Sequence, residues 1–326
     1  MMTKIEYFQQ QIKTLIHSQK FDGNPPALYE PIAYTMKQGG KRLRPMLTLL
    51  ACDLFDGDIK KALYPALAVE VFHNFTLVHD DIMDKAPIRR GKETVYKKWN
   101  SDIAILSGDT MFALAYQYTL KTDAALIPDI LQVFSKAAIE VCEGQQMDME
   151  FETAEEVSLT DYLTMIRLKT AVLLGTSLEI GALVAHADPK EVNAIYDFGL
   201  ALGMAFQLND DLLDVYGDQA EFGKVSGGDI AANKKTFLLL KALEMADKAD
   251  HSRLTELYSD KSTLAEAEKI KEVKAIFEKL NVQKAVEAAM EDYYQQAIRL
   301  LKPINASKDK KEELATYASF LYKRNY

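Results

Sequence analysis

Apolar residues recur at spacings of three and four along almost the whole chain, which is the period of amphipathic α-helices. In one example this spacing joins Leu126, Ile130, Val133, Phe134, Ala137 and Val141. Most prolines and glycines lie between such segments, where they begin or end helices. The pattern predicts helices at approximately residues 3–20, 27–38, 44–55, 59–84, 101–121, 125–149, 159–185, 189–216, 231–247 and, with breaks, 263–302. No alternating run of strand length is present, so we predict an all-α fold.

The predicted organisation is a single domain. No Ser/Gly/Pro-rich linker divides the 326 residues, so we expect one domain over residues 1–326. A chain of this length can bury a core large enough to fold without disulfides or a structural metal. The last third, from about residue 243, is rich in Lys, Glu and Ala and is predicted to pack as peripheral helices.

Charge and cysteine content exclude several classes of function. The net charge is −9, with 39 basic against 48 acidic residues, so we expect no nucleic-acid partner. Cys52 and Cys142 form no metal-binding spacing and no disulfide framework, which favours a reducing cytoplasm. The first residues contain no apolar segment of the signal-peptide type. The most apolar stretch, residues 170–187, is interrupted by Glu179 and two glycines, so we expect no integral membrane association.

Two clusters of aspartates share the pattern DDxxD, at residues 80–84 (DDIMD) and 210–214 (DDLLD). On a helix, positions i, i+1 and i+4 share a face, so the three carboxylates of each cluster lie together. Carboxylate oxygens suit Mg²⁺, which usually binds one or two of them together with water and phosphate oxygens. A single cluster of this kind is more often a solvated helix end. Two of them indicate a site that holds a diphosphate through Mg²⁺ and makes it a leaving group.

Basic segments accompany both aspartate clusters. They are residues 39–45 (GGKRLRP), 89–91 (RRG), 223–229 (GKVSGGD) and 233–236 (NKKT). Lys binds phosphate as a point charge, and Arg binds it as a bidentate donor. His73 and Gln207 lie one or two turns before the carboxylates on the same helix faces. The pattern indicates two bound diphosphates, one held through metals and one held directly by Lys, Arg and His.

Together these motifs resemble those of the trans-isoprenyl diphosphate synthases, also called polyprenyl synthetases. The resemblance extends from about residue 39 to residue 236. It is carried in order by GGKRLRP, FHNFTLVHDDIMD (72–84), RRG, GQxxD (144–148), KT (169–170), FQLNDDLLD (206–214) and residues 223–236. It implies ten or more helices around a deep cavity, a homodimer, and condensation of isopentenyl diphosphate with an allylic diphosphate. The allylic diphosphate ionises, the isopentenyl double bond attacks the carbocation, and loss of a proton completes the product.

The resemblance also implies roles for the motif residues. Three Mg²⁺ ions are expected to link the allylic diphosphate to the two DDxxD motifs. The principal metal ligands would be Asp80, Asp84 and Asp210, with direct or indirect support from Asp81, Asp211 and Asp214. The residues expected to bind isopentenyl diphosphate are Lys41, Arg44, His73 and Arg90. Those expected to bind the allylic diphosphate are Arg89, Lys169, Lys224 and Lys234. The expected catalytic residues are Lys169, Thr170, Gln207 and Lys234, of which Thr170 and Gln207 lie beside the forming cation.

One segment departs from the pattern of the family. Residues 91–96 read GKETVY, where many relatives have a GxPTxH run. Because Arg89 and Arg90 are retained, we expect altered packing of this loop and retained activity.

Product length in this family is set by bulky residues that precede the first aspartates. Phe75 and Thr76 are the fifth and fourth residues before Asp80. One aromatic with a small neighbour, and no insertion within DDIMD, resembles archaeal-type geranylgeranyl synthases. We therefore predict a C20 product, with the C15 product farnesyl diphosphate as the alternative, and chain-length roles for Phe75, Thr76 and Phe72. Because Phe75 points further round the helix than Thr76, Phe72 or residues of another helix would form the floor of the tunnel.

Other classes of function fit these residues less well. A class I terpene cyclase would share one DDxxD motif and the carbocation chemistry, but it would need neither GGKRLRP nor the second DDxxD. A non-catalytic helical subunit of a prenyltransferase would typically lose aspartates or basic clusters, and all six aspartates are present. A divalent-cation buffer would leave the basic segments unexplained.

Overall fold

The structure is a computed structural model that describes residues 3–217, 227–259 and 264–323. Most of these residues are helical and very few are in strands, so the prediction of an all-α fold is confirmed. The helices are α1 (Lys4–Ser18), α2 (Pro26–Lys37), α3 (Leu43–Leu54), α4 (Ile59–Met83), α5 (Val95–Lys98), α6 (Ser101–Thr119), α7 (Ile127–Thr153), α8 (Leu159–Ile166), α9 (Val172–Val184), α10 (Pro189–Tyr216), α11 (Gly228–Ala231), α12 (Phe237–Met245), α13 (Lys248–Leu257), α14 (Glu266–Lys279), α15 (Val282–Leu301) and α16 (Lys308–Tyr322). A 3₁₀ turn (Ala124–Leu126) precedes α7, and a π-helical turn (Arg167–Ala171) joins α8 to α9. Over the described ranges, no helix is both long and apolar enough to cross a membrane.

Capping side chains fix the beginnings of several helices. The Asn100 side chain accepts a hydrogen bond of 2.8 Å from the Ile103 N–H at the start of α6. Ser158 and Asp161 form a reciprocal capping box at the start of α8. Each contact pairs a backbone N–H that has no partner within its helix, and this sets where the helix begins.

Two predicted helices are interrupted by residues in the left-handed conformation. The helix predicted at residues 231–247 begins only at Phe237, because Asn233 has φ 57°. The segment predicted at residues 263–302 divides at Asn281, which has φ 54°. A right-handed helix cannot continue through such a residue.

The spacing of apolar residues did not predict the elements that are very short or mostly polar. Helix α13 buries only two side chains, Leu254 and Leu257, and helix α16 was also not predicted. The strands β1 (Ile88–Arg89) and β2 (Lys92–Glu93) form an antiparallel hairpin. Strands of two residues are too short to produce an alternating pattern.

One compact unit comprises Met1–Lys136, Thr176–Tyr196 and Asn305–Leu314. Helix α4 packs against α3 and α6 and is buried along most of its length. At Gly181 the backbone of α9 approaches α3 so closely that a Cβ atom would lie 2.2 Å from the Thr48 carbonyl oxygen. The contacts with α3 and α6 fix the position of α4, and the C-terminal end of α4 carries the first DDxxD motif.

A second compact unit comprises Ala137–Gly175, Asp197–Ile304 and Ala315–Tyr326. Its core is built from α8, α10, α12, α14 and α15 and includes Tyr162, Leu208, Phe237, Phe277 and Val286. This core surrounds the last turns of α10, which carry the second DDxxD motif. The single domain expected over residues 1–326 stays a prediction.

Candidate active site

The first DDxxD motif has one buried and two more accessible aspartates. Asp81 is 3% exposed, and its Oδ1 accepts a hydrogen bond of 2.7 Å from Arg89 Nε. Burial raises the pKa of Asp81 to about 6, although the charge and hydrogen bond of Arg89 act in the opposite direction. Asp80 is half-buried, Asp84 is exposed, and the Asp84 N–H donates to the Asp80 carbonyl at 2.8 Å. Asp80 and Asp84 are therefore the aspartates of this motif best placed to bind a cation.

The RRG segment forms the turn of the β-hairpin. Arg90 and Gly91 have φ values of 52° and 72°, as the two central residues of a type I′ turn require. Arg90 Nη1 donates to the carbonyl of Gly39 at 2.8 Å, which connects the hairpin to the GGKRLRP segment. Thr94 fixes the base of the hairpin, because its hydroxyl donates to the Ala86 carbonyl at 2.8 Å. The segment that departs from the family pattern thus begins in an ordered hairpin, and the first half of this hairpin carries both arginines.

Arg42 anchors the GGKRLRP segment to the protein core. It begins α3 in the left-handed conformation with φ 49°. Arg42 Nη1 donates to Glu70 Oε1 at 2.5 Å, and Nη2 donates to the carbonyls of Met36 and Gln38 at 2.7 Å each. Glu70 is 2% exposed, so the two charges pair inside the protein. The middle cation of this segment therefore has a structural role.

The predicted isopentenyl diphosphate residues lie together in the first unit. Arg44 Nη1 lies 3.0 Å from His73 Nε2. Arg90 donates to the carbonyl of Gly39, two residues before the exposed Lys41. Burial, followed by the charges of Arg44 and three other arginines, lowers the pKa of His73 well below its usual range. His73 is therefore neutral at physiological pH and accepts a hydrogen bond from Arg44 through Nε2.

Five aromatic side chains form a cluster that begins just over one turn before Asp80. This aromatic cluster consists of Phe72, Phe75, Phe112, Tyr116 and Phe134. The rings of Phe75 and Phe112 lie 5.2 Å apart between centroids, and those of Phe72 and Phe134 lie 5.4 Å apart. Of the predicted chain-length residues, Phe72 and Phe75 belong to this cluster. The Thr76 hydroxyl donates to the His73 carbonyl of its own helix at 2.8 Å.

The second DDxxD motif also has one deeply buried aspartate. Asp211 is 5% exposed; its Oδ2 accepts a hydrogen bond from the Tyr162 hydroxyl, and its Oδ1 accepts one of 3.0 Å from Gln207 Nε2. Burial, reinforced by the negative charge of Asp229, raises the pKa of Asp211 to about 8. Asp210 and Asp214 are half-buried, and Asp214 Oδ2 accepts from the Asp229 N–H at 2.9 Å.

Lys169 and Thr170 lie on the π-helical turn between α8 and α9. Two glycines permit this geometry. A Cβ atom at Gly144 would lie 2.3 Å from the Lys169 nitrogen, and one at Gly203 would lie 2.5 Å from the Ala171 Cα. Single π turns inside helices redirect side chains and are frequent at functional sites.

The π turn directs its polar side chains towards the second DDxxD motif. Lys169 Nζ pairs with Asp148 Oδ2 of the GQxxD motif at 2.6 Å. The Thr170 hydroxyl donates to Gln207 Oε1 at 2.8 Å, so a continuous chain of hydrogen bonds runs from Thr170 through Gln207 to Asp211. These side chains line a cavity of about 110 Å³.

The NKKT segment brings one of its two lysines to the same cavity. Lys234 lines the cavity, and its backbone N–H donates to the Asp229 carbonyl at 2.9 Å. Lys235 Nζ donates to the Phe151 carbonyl at 2.5 Å and so caps the C-terminal end of α7. Lys224, predicted to bind the allylic diphosphate, lies outside the described residues.

Comparison with known proteins identifies the family. A family model for polyprenyl synthetases matches residues 25–280, which is more than half of the chain. This chain belongs to the polyprenyl synthetase family. It is 39% identical over 291 residues to the geranylgeranyl diphosphate synthase of Sulfolobus acidocaldarius, covering 88% of this chain and 87% of the relative. It is 36% identical to the short chain isoprenyl diphosphate synthase of Methanothermobacter thermautotrophicus, covering 94% of this chain and 93% of the relative.

One solved structure resembles this polyprenyl synthetase over its whole length. A crystal structure of a geranylgeranyl pyrophosphate synthase superimposes with a TM-score of 0.94 at 43% identity and covers 100% of both chains. These likenesses show that the chain has the isoprenoid synthase fold and is a prenyltransferase.

The donor set of the two aspartate motifs fits Mg²⁺, which this family uses. Within residues 3–217, 227–259 and 264–323, no three His, Cys, Asp or Glu side chains come together as a ready-made metal site. Mg²⁺ does not require such a site, because it keeps several waters and binds through one or two carboxylates and the phosphates of a substrate. Asp80, Asp84, Asp210 and Asp214 can supply those carboxylates. Asp81 and Asp211 are buried, and their hydrogen bonds orient Arg89 and Gln207 respectively.

Sequence motifs alone did not reveal Tyr162, Phe112 or Tyr116 as parts of these sites. Tyr162 lies seven residues before Lys169, and only the packing of α8 against α10 brings it to Asp211. Phe112 and Tyr116 do carry a sequence signal, since their spacing of four places both rings on one face of α6. That signal does not say which helix the face will meet.

Proposed function

We propose that this protein is a trans-prenyltransferase that condenses isopentenyl diphosphate with dimethylallyl, geranyl and farnesyl diphosphates, with geranylgeranyl diphosphate (C20) as its product. The observation that carries the proposal is that each of the two units combines a DDxxD motif with a cluster of Lys or Arg. Such pairs of anionic metal-binding and cationic groups suit diphosphate substrates. The relatives named geranylgeranyl diphosphate synthase support the same product.

Isopentenyl diphosphate would be bound by the basic set of the first unit. Lys41, Arg44 and Arg90 supply positive charge, and the contact between Arg44 and His73 orients the guanidinium. Neutral His73 has one ring N–H besides the acceptor Nε2, so it can donate to a phosphate oxygen without adding charge. This set binds its diphosphate directly, and a diphosphate held in this way is not activated for departure.

The allylic diphosphate would be bound by Lys169, Lys234, Lys224 and Arg89 and by Mg²⁺ on Asp80, Asp84, Asp210 and Asp214. When bound by these carboxylates, Mg²⁺, for which we expect three ions, would neutralise charge on the departing diphosphate oxygens. Asp81 holds Arg89 through its Nε, and Asp148 holds Lys169, so both cations are oriented before substrate arrives. Preoriented charges stabilise a transition state without further reorganisation.

Thr170 and Gln207 would lie beside the carbocation that forms when the allylic diphosphate leaves. Their oxygen atoms lie 2.8 Å apart, and lone pairs on both can face a cationic carbon. Buried apolar residues of the same unit, including Met165 and Ile166, line the cavity and exclude water. Exclusion of water protects the cation until the isopentenyl double bond attacks it and a proton is lost to the released diphosphate.

The aromatic cluster would form the floor that stops chain growth. Thr76 is small, so growth can pass it, whereas Phe75, Phe72 and Phe112 are packed ring to ring. The alternative product, farnesyl diphosphate, would require the chain to stop nearer to Asp80. The small side chain of Thr76 favours the C20 product.

We further propose that the protein acts as a homodimer in the cytoplasm. Helix α6 exposes Ile105 and Leu106, which are 43% and 55% exposed, and Leu120, directly after α6, is 51% exposed. Neighbouring exposed apolar side chains such as Ile105 and Leu106 favour a protein partner. Neither Cys52 nor Cys142 forms a disulfide within the described residues, which suits a reducing compartment.

The variant Asp80→Ala tests the enzyme assignment. It should abolish product formation while the protein remains folded, because it removes one of the accessible carboxylates of the first motif. Asp292→Ala, on the exposed surface of α15, is a matched control that should leave turnover unchanged. Turnover of the Asp80 variant equal to that of the control would contradict the metal assignment. A terpene cyclase would instead convert one allylic diphosphate to a hydrocarbon without consuming isopentenyl diphosphate.

A further inference from the structure

Lys269, on α14, is a buried lysine with an unusual set of partners. It is 7% exposed, its Nζ donates to Asn233 Oδ1, and the same atom lies 5.0 Å from the centroid of the Tyr258 ring. No carboxylate of the described ranges pairs with it. Burial lowers the pKa of Lys269, and Glu266, one turn earlier on the same helix, opposes this shift. Burying a lysine in this way costs stability, and no ion pair within the described ranges offsets the cost.

The only hydrogen-bond acceptor found for Lys269 among the described residues belongs to the turn that presents Lys234. Asn233 has φ 57°, and its backbone N–H donates to the Ile230 carbonyl at 3.2 Å. Asn233 therefore turns the chain out of α11 and directs the next residue, Lys234, to the cavity. The side chain of Asn233 is held in turn by Lys269, whose Nζ donates to Asn233 Oδ1.

We propose that Lys269 is a positioning residue for Lys234, acting through Asn233. The ammonium group of Lys269 fixes the Asn233 side chain, and this fixes the turn from which Lys234 reaches the allylic diphosphate. The inference rests on the proposed function, in which Lys234 binds that diphosphate. It assigns part of the allylic site to the Lys- and Glu-rich last third of the chain, which was expected to contain only peripheral helices.

Within the NKKT segment, the contacts of Lys235 are consistent with a positioning role for the residues on either side of Lys234. Lys235 caps α7 through the carbonyl of Phe151, so the residue that follows Lys234 is already fixed. Lys269 fixes Asn233, the residue that precedes Lys234. Lys234 lies between these two anchors, and loss of either anchor would let its ammonium group move.

The test compares Lys269→Met with Asn233→Gly and with the double variant. Met keeps the length of the side chain and removes the ammonium group, and Gly keeps the left-handed conformation while it removes the acceptor. In each single variant, KM for the allylic diphosphate should rise about tenfold, as expected when one charge-assisted hydrogen bond no longer fixes a binding group. KM for isopentenyl diphosphate should stay within about twofold, and the double variant should match the single variants because both act through one contact.

Lys271→Met, on the exposed side of α14, is the matched control and should leave both KM values unchanged. The proposal is overturned if the allylic KM of the two single variants stays within about twofold of the wild type, if both KM values rise together, or if the two effects add. If Lys269→Met does not fold, Asn233→Gly decides alone by the same KM criterion. A wild-type protein that forms no elongated product would contradict the proposed function itself, which is a separate and recognisable outcome.

Discussion

Replacing Asp211 by Asn should stabilise the metal-free protein. Asp211 is 5% exposed, and burial together with the nearby charge of Asp229 raises its pKa from 3.8 to about 8. The folded protein therefore holds a proton that the unfolded chain releases at neutral pH. Neutral Asn can accept from the Tyr162 hydroxyl as Asp211 does. It can also donate to Gln207 if the Gln207 amide turns over and its nitrogen faces the Thr170 oxygen.

The size of the effect follows from the difference between the folded and unfolded pKa values of Asp211. A raised carboxyl pKa contributes most to stability below the unfolded value of 3.8, and this contribution declines as pH rises to about 8. A difference of one in pKa corresponds to about 1.4 kcal/mol. Near pH 7.5 the raised pKa of Asp211 therefore lowers the free energy of unfolding by an amount on the order of 5 kcal/mol. The amide rearrangement reduces the gain, and we expect Asp211→Asn to raise the free energy of unfolding by about 2–4 kcal/mol at that pH.

Chemical denaturation in the presence of a chelator measures this free energy. The advantage of Asp211→Asn over the wild type should grow between about pH 5 and pH 8 and then level off. Asp84→Asn is a matched control because Asp84 is exposed, and it should change stability by less than about 0.5 kcal/mol. A difference that does not vary with pH, or a destabilised Asp211→Asn protein at every pH, would refute the reasoning.

Three further variants test other parts of the structure. Phe112→Ala removes one ring of the aromatic cluster and should lengthen the product beyond C20, at a cost of about 3 kcal/mol in stability; chromatography that shows only the wild-type product would contradict this role. Arg42→Ala leaves buried Glu70 without its cation and should lower stability by roughly 3–5 kcal/mol in thermal unfolding, so a loss below about 1 kcal/mol would argue against the anchor. Gly144→Ala places a Cβ atom 2.3 Å from the Lys169 nitrogen and should lower kcat at least about tenfold with the helical circular dichroism retained; unchanged kcat would show that the π turn tolerates a shift.

The sequence predicted the long helices well because their apolar residues repeat over many turns. Helix α4 was predicted at residues 59–84 and observed at Ile59–Met83. The same period could not locate the hairpin at Ile88–Glu93, since two-residue strands have no repeat. It also missed the break at Asn233, and it predicted breaks within residues 263–302 without locating the one at Asn281. At both positions a single left-handed residue ends the helix without changing the apolar pattern.

The motifs predicted which residues cluster, but they did not distinguish the roles of neighbouring residues. DDxxD gives three similar aspartates, whereas burial separates Asp211 from Asp210 and Asp214. Lys269 belongs to none of the sequence motifs, and only the packing of α14 brings it to Asn233. Such contacts depend on tertiary structure, so spacing along the chain cannot reveal them.

Product analysis tests the central claim most directly. Purified protein would be incubated with Mg²⁺, isopentenyl diphosphate and dimethylallyl diphosphate, and the dephosphorylated products would be separated by length. We predict an all-trans C20 alcohol as the main product and no elongation without Mg²⁺. The absence of any elongated product from all starters between C5 and C15 would contradict the assignment as a prenyltransferase.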